Sequence, residues 1–338
     1  MLEIITSFLY SVIRISTPII YVAICSTISA QSGLLNMAGE SMMLTASLTG
    51  VIFSAVFQNV WMGILFGVLS AMLITLIICF AAFVMKVDLY LMSISMNMAL
   101  GGGVVFLMWV LTGTKANTAG AIKSLALDNL DIPLIKAIPV LGTIISGHNL
   151  FTYMAILMTV GVWFLLYRTK LGLRMRAIGQ NPQAAESVGI DTKKVYTIAF
   201  LIAAAVGSFG GMYLSMGYQS FFSRGLTGNR GFIGMAASTI GNSEPFGALL
   251  MSFVFGLAYA FSNYLQPVIN DSYLLMSIPF LLSTVIYLLI SGWRSTEQDR
   301  KIRKKVKQLQ QEEARLLAAA GQIPASAGPT EKGSESHS

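Results

Sequence analysis

Charge is what this chain has least of. Only 11% of its 338 residues are Asp, Glu, Lys or Arg, and 55% are hydrophobic. Soluble domains carry about 25% charged residues, so the scarcity excludes a soluble fold and points to an integral membrane protein. Cysteine is nearly absent too. Cys25 and Cys79 both lie in apolar runs, which excludes a disulfide framework and a thiolate metal site. The only histidines are His148 and His337, too few and too far apart for a metal or catalytic cluster. No GxxxxGK[S/T] phosphate loop occurs, so the chain does not hydrolyse ATP by that device. No catalytic constellation, metal site or cofactor of its own is expected. The first residues lack a basic start followed by a small-residue cleavage site, so the first span is expected to be retained.

Long apolar runs are what the chain does have, at 7–29, 39–57, 61–84, 90–111, 150–167, 195–217, 245–265 and 273–291. Runs of this length favour helices over the weak alternation of a membrane barrel. The expected fold is all-α, a polytopic membrane bundle of about 8–10 transmembrane segments with short broken helices in both halves. Its expected parts are a membrane domain over 1–295, a basic cytosolic helix over 296–320 and a disordered Gly-, Pro- and Ser-rich tail over 321–338. The 19 Met and 31 Gly suit a closely packed helical bundle.

The net charge of +7 is concentrated at 168–194 and 294–307. Both clusters adjoin spans, so the positive-inside rule places both in the cytoplasm and makes a nucleic-acid patch the poorer explanation. An even number of crossings must then lie between them, yet three long runs are visible. The fourth crossing is assigned to Gly231–Ile240, bounded by Gly-Asn-Arg and Gly-Asn-Ser-Glu-Pro. At about 1.5 Å per residue it covers half of a roughly 30 Å hydrocarbon core. Such a half-helix survives only where protein or a watery cavity satisfies its ends. The same parity puts the amino terminus and the 112–149 loop outside.

A second interruption, QSGLLNMAGE, occupies 31–40. Paired breaks in two halves mark the pathway of many transporters. On this basis Asn36, Glu40, Gly231 and Asn242 are the candidate pathway residues, with Asn36 placed to share a polar network with Glu40. Two readings of Glu40 stand: a pathway or gate carboxylate, which is costly to bury, or an acid stabilised at a helix start. Arg224 and Arg230 fall on the outer side, either as a landing point for an acidic partner or in contact with lipid headgroups or Asp271. Small residues at Gly63 and Gly67, and at Ala203, Gly207 and Gly211, mark close helix contacts. Gly101–Gly103 either pack closely or loosen a helix for gating.

The polar island 168–194 contains a miniature helix with its own signals. Asn181 can cap it, Pro182 can open it and Gly189 can end it. A capped helix between two spans on the cytoplasmic side suggests a docking element for a cytosolic partner.

Three motifs carry a resemblance: SGLLNMAGESMML (32–44), GLRMRAIGQNPQAAESVGIDTKKV (172–195) and NRGFIGMAASTIGNSEPFGALL (229–250). Over about residues 5–295 the chain resembles the permease subunits of bacterial ABC importers, in the simple-sugar and nucleoside branch related to branched-chain amino-acid permeases. The middle motif is the most specific. Arg176, Ala177, Gly179, Asn181, Pro182, Ala184, Ala185, Gly189 and Ile190 match the family's coupling run. Two departures stand out: Ser41 follows Glu40 where the family commonly has Gly, and Glu244 is a variant in the last motif.

The resemblance implies an ATPase-coupling surface at Arg174, Arg176, Asn181, Pro182, Ala184, Ala185, Glu186 and Gly189, and binding-protein docking near Arg224 and Arg230. It implies two P-loop ATPase subunits using ATP-Mg, a second permease (identical or paralogous), an extracellular substrate-binding protein and surrounding membrane lipid. The implied location is the bacterial cell membrane, multi-pass, with a cytoplasmic carboxyl terminus. Alternating access would carry a nucleoside or simple sugar. The alternative is a carrier driven by an ion gradient without an ATPase, for which Glu40 is the candidate ion ligand.

Overall fold

The computed structural model describes residues 2–122 and 141–266, with isolated positions between 124 and 130 and between 277 and 292. Most of the span expected at 273–291, the basic helix expected at 296–320 and the tail lie outside the described residues. Contacts divide the chain into a unit Met1–Ser283 and a second unit Thr284–Ser338, of which single helical positions are described.

The first unit is built of helices: α1 (Leu2–Gln31), α2 (Gly39–Phe57), α3 (Val60–Phe83), α4 (Leu89–Thr112), α5 (Leu141–Ile145), α6 (Leu150–Arg168), α7 (Lys170–Gln180), α8 (Pro182–Ser187), α9 (Thr192–Met212), α10 (Arg230–Ile240) and α11 (Pro245–Leu265). A six-residue π-helical turn, Tyr213–Tyr218, extends α9. Two-residue strands β1 (Asn129–Leu130) and β2 (His148–Asn149) pair antiparallel in the loop before α6. Among the described residues, seven helices are long and apolar enough to cross a membrane. Five helix starts, those of α3, α4, α6, α7 and α9, are set by local chemistry. Asn59, Asp88, Asn149, Thr169 and Asp191 each accept a backbone N–H of the helix that follows.

α1 packs against α9, α10 and α11, while α2 packs against α3 and α9. Lipid tails are as apolar as Leu, so close packing and polar bonds between helices hold such a bundle together. Both are present. A Cβ on Gly211 would collide with the Met43 carbonyl oxygen, so only glycine lets these two backbones meet. A Cβ on Gly207 would meet Cys25 Sγ at 3.1 Å. Thr27 and Ser238 hydroxyls bond at 2.8 Å, and the Tyr21 hydroxyl donates to the Phe151 carbonyl at 2.6 Å.

The expected packing does not extend to Gly101–Gly103. A Cβ added to any of the three meets nothing within 4 Å. Their helix, α4, turns most of its surface away from this chain, with Met98 77% and Phe106 59% exposed. The three point about 100° apart around α4, and none is packed against a neighbour among the described residues.

The helices run between two ends of different character. At one end the loops interlace: Thr118 N–H donates to the Phe222 carbonyl, Arg224 N–H to that of Ala116, and the Tyr10 hydroxyl to that of Gly147. The other end gathers the C-terminus of α1, the α3–α4 turn, α7, α8 and the α10–α11 turn. There the Gln31 side chain donates to the Ser243 carbonyl at 2.7 Å. This second end is the basic one, carrying Lys86, Arg168, Lys170, Arg174, Arg176, Lys193 and Lys194.

Candidate functional site

α1 stops at Gln31 because Gly33 turns left-handed, with φ +80°. The chain then doubles back, unwound over 34–37, before α2 begins. Side chains hold this stretch. Asn36 Oδ1 accepts from Ala38 N–H at 2.9 Å and its amide donates to Ser29 Oγ at 3.2 Å. Asn97 of α4 donates to the Met37 carbonyl at 2.7 Å and accepts from Ser41 N–H at 3.0 Å. Asn36 and Glu40 therefore have separate partners, not the shared network expected. Asn97 was missed in the sequence, although it is the one amide within the apolar run 89–112.

The second break meets the first at Glu40. The Thr227 hydroxyl donates to Glu40 Oε1, as does Asn229 N–H at 3.3 Å, and Gly231 N–H donates to Oε2 at 2.8 Å. Residues almost two hundred positions apart thus form one joint. α10 has no side-chain cap from its own N-cap residue, Asn229, which sits left-handed at φ +60°. Glu40 supplies the missing acceptor and sets a negative charge at the positive end of the helix dipole. Gly231 is required sterically: a Cβ there would stand 2.5 Å from Glu40 N and 2.6 Å from Oε2. α10 spans eleven residues, about 16 Å, so the joint lies about half a membrane thickness from the α10–α11 turn.

A cavity of about 460 Å³ opens beside the joint, lined by Glu40, Asn97, Gly101, Arg224, Asn229 and Phe232 among others. That volume is within the 300–1,000 Å³ typical of small-molecule sites. Gly101 keeps its α4 wall empty. Arg224 borders it as an exposed side chain. Arg230 turns inward instead, donating to the Leu226 and Thr227 carbonyls at 3.2 Å with its guanidinium 5.7 Å over Tyr259. Asn242, left-handed at φ +65° and exposed, lies at the far end of α10 and does not line this cavity.

The polar island folds as its local signals require. Asn181 Oδ1 accepts from Ala184 N–H at 3.0 Å, Pro182 opens α8, and Gly189 follows at φ +84°. Ala184 is exposed, but Ala185 is 4% exposed and belongs to the core. α8 therefore turns Ala184 outward and buries Ala185 against the bundle. Glu186 Oε1 accepts from the Thr192 hydroxyl at 2.6 Å and ties α8 to α9. Arg174 is exposed, and Arg176 stacks 4.7 Å over Tyr167. Asp191, which caps α9, has its carboxyl held below the usual range by the Lys194 backbone N–H and ammonium. α7 reaches the first break directly: a Cβ on Gly179 would collide with the Gln31 carbonyl oxygen.

Seven crossing helices and a half-helix define a multi-pass membrane protein. Residues 8–284 match the family model described as branched-chain amino acid transport system / permease component, and the chain belongs to that family. It is 28% identical over 280 residues to a guanosine ABC transporter permease protein of Bacillus subtilis, covering 79% of this chain and 86% of that one. A nucleoside ABC transporter permease protein of Lactococcus lactis is 35% identical over 128 residues, 38% of this chain and 40% of its own. A putative glucose ABC transporter permease protein of Haloferax volcanii is 25% identical over 258 residues, 74% of each chain. No solved structure matches.

Proposed function

We propose that this chain forms part of the translocation pathway of an ATP-driven importer for a nucleoside, at the cavity beside the Glu40–α10 joint. The observation that carries the reading is the joint itself: two broken segments locked by one carboxylate, next to a space of small-molecule size. The guanosine and nucleoside permeases among its relatives support the solute class, and a simple sugar is the other candidate. One of two ATPase subunits would dock on the exposed face of α8 and on Arg174, the other on the second permease. Their closure would move α7, whose Gly179 presses on the end of α1, and the motion would pass through the unwound stretch to Glu40 and α10. An extracellular binding protein would deliver solute at the end bearing Arg224. The basic end would face the cytoplasm, and the carboxyl terminus with it.

A carrier driven by an ion gradient is the poorer reading, because both Glu40 oxygens already accept protein donors. The test is purification from the native membrane in mild detergent, followed by reconstitution. Co-purification of a P-loop ATPase, with guanosine uptake that requires ATP, is the expected result. Uptake that persists without ATP and collapses with the ion gradient would overturn the proposal.

A further inference from the structure

At the basic end a cleft of about 650 Å³ lies between the C-terminal half of α3 and the start of α9. Its mouth carries Lys86, Lys193 and Lys194, and its walls are Leu76, Phe80 and Ile198, with others below them. The wall side chains are open to the surroundings, with Phe80 57%, Leu76 48% and Ile198 41% exposed. The only ion pair at the mouth among the described residues is Lys194 Nζ to Asp191 Oδ2 at 3.0 Å. Lys86 and Lys193 form no ion pair among the described residues, although Lys193 lies close enough to Asp191 to act on its carboxyl. Phe83 and Tyr196 stack with centroids 5.7 Å apart and bridge the two helices there.

Apolar walls running into the membrane beneath a cationic mouth match one kind of molecule, a lipid with an anionic headgroup. From Leu76 to Val84 the groove on α3 runs about 12 Å along the bilayer, enough to seat the upper part of an acyl chain. A polar solute would leave the walls unsatisfied, and a neutral lipid would leave the lysines unused. We infer that this cleft is a binding site for one anionic phospholipid, its phosphate held by Lys86 and Lys193 and its chain by Leu76, Phe80 and Ile198. Lys193 and Lys194 lie in the first turn of α9, so an occupant would also brace the start of that helix, which Glu186 ties to α8. The inference rests on the membrane-spanning fold and not on the solute or its energy source.

The test is native mass spectrometry of the full-length chain in detergent, titrated with phosphatidylglycerol or phosphatidylcholine. One phosphatidylglycerol should bind in preference to phosphatidylcholine. Each lysine near a charged surface is worth about fivefold in affinity, so the pair Lys86→Gln and Lys193→Gln should weaken binding about thirtyfold. Lys170→Gln, at the same end but outside the cleft, should change little. Ile198→Trp, which fills the groove without changing charge, should also weaken binding, while added glycerol phosphate should not displace the lipid. Equal binding of the two lipids, an equal loss in Lys170→Gln, or full binding by the double variant would each overturn the site.

Discussion

Removing the Glu40 carboxylate should loosen the joint between the two broken segments by a predictable amount. Glu40 is 7% exposed and accepts three donors: the Thr227 hydroxyl and the backbone N–H groups of Asn229 and Gly231. Each buried donor stranded without an acceptor costs about 1–3 kcal/mol. The Asn229 contact is long at 3.3 Å and contributes least. Glu40→Ala should then cost about 3–6 kcal/mol, a large share of a typical stability of about 5–15 kcal/mol. Glu40→Gln keeps the shape and one acceptor but turns an NH2 toward a donor, so about 2–3 kcal/mol is expected. Thermal unfolding of the purified chain in detergent reads the order wild type, then Gln, then Ala. A double-mutant cycle with Thr227→Val isolates the hydroxyl contact and should return a coupling of about 0.5–3 kcal/mol. If Glu40→Ala melts with the wild type, or the coupling is zero, the carboxylate does not hold the joint.

Other outcomes follow from the same geometry. Gly101→Leu fills the cavity wall where a Cβ meets nothing, and should suppress uptake by the reconstituted complex while leaving its thermal stability intact. Gly102→Leu, equally open but off the cavity, should transport normally. Ala184→Arg and Val188→Asp alter exposed positions on or beside α8 and should reduce ATPase co-purification about tenfold or more without changing the melting temperature. Ala185→Arg should lower the melting temperature itself, because that side chain is buried. His148 is held below its ordinary value of about 6.5 by burial, with its ring stacked 4.1 Å from Tyr10. The unfolded chain therefore takes up the proton first as pH falls. Stability should decline below about pH 6.5, and His148→Asn should flatten that part of the melting profile.

What could be read from the sequence was what depends on neighbours along the chain. Hydropathy alone located the seven spans that are described. The half-helix followed from counting crossings between two basic clusters, and α10 matches it to within one residue at its start. The caps of α8 were legible because Asn181, Pro182 and Gly189 act within one or two turns. The Glu40–Gly231 joint was not, because its partners are brought together only by the packing of α2 against α10. Asn97 escaped notice for the same reason. The two readings of Gly101–Gly103 could not be separated, because a small-residue run reads alike whether it faces a helix or a space. Which of Ala184 and Ala185 is covered was not legible either, because adjacent helical residues point about 100° apart and only the bundle decides between them.

The most direct test of the pathway is the accessibility of a thiol introduced at the cavity wall. Gly101→Cys in the reconstituted complex would be treated with a membrane-impermeant thiol reagent with and without ATP. Cys25 and Cys79 are both buried and should add little background. If the Glu40–α10 joint gates the cavity under ATPase control, the introduced thiol should label several-fold faster in one nucleotide state than in the other, and excess guanosine should slow it. Labelling at one rate in every state, indifferent to guanosine, would contradict the account.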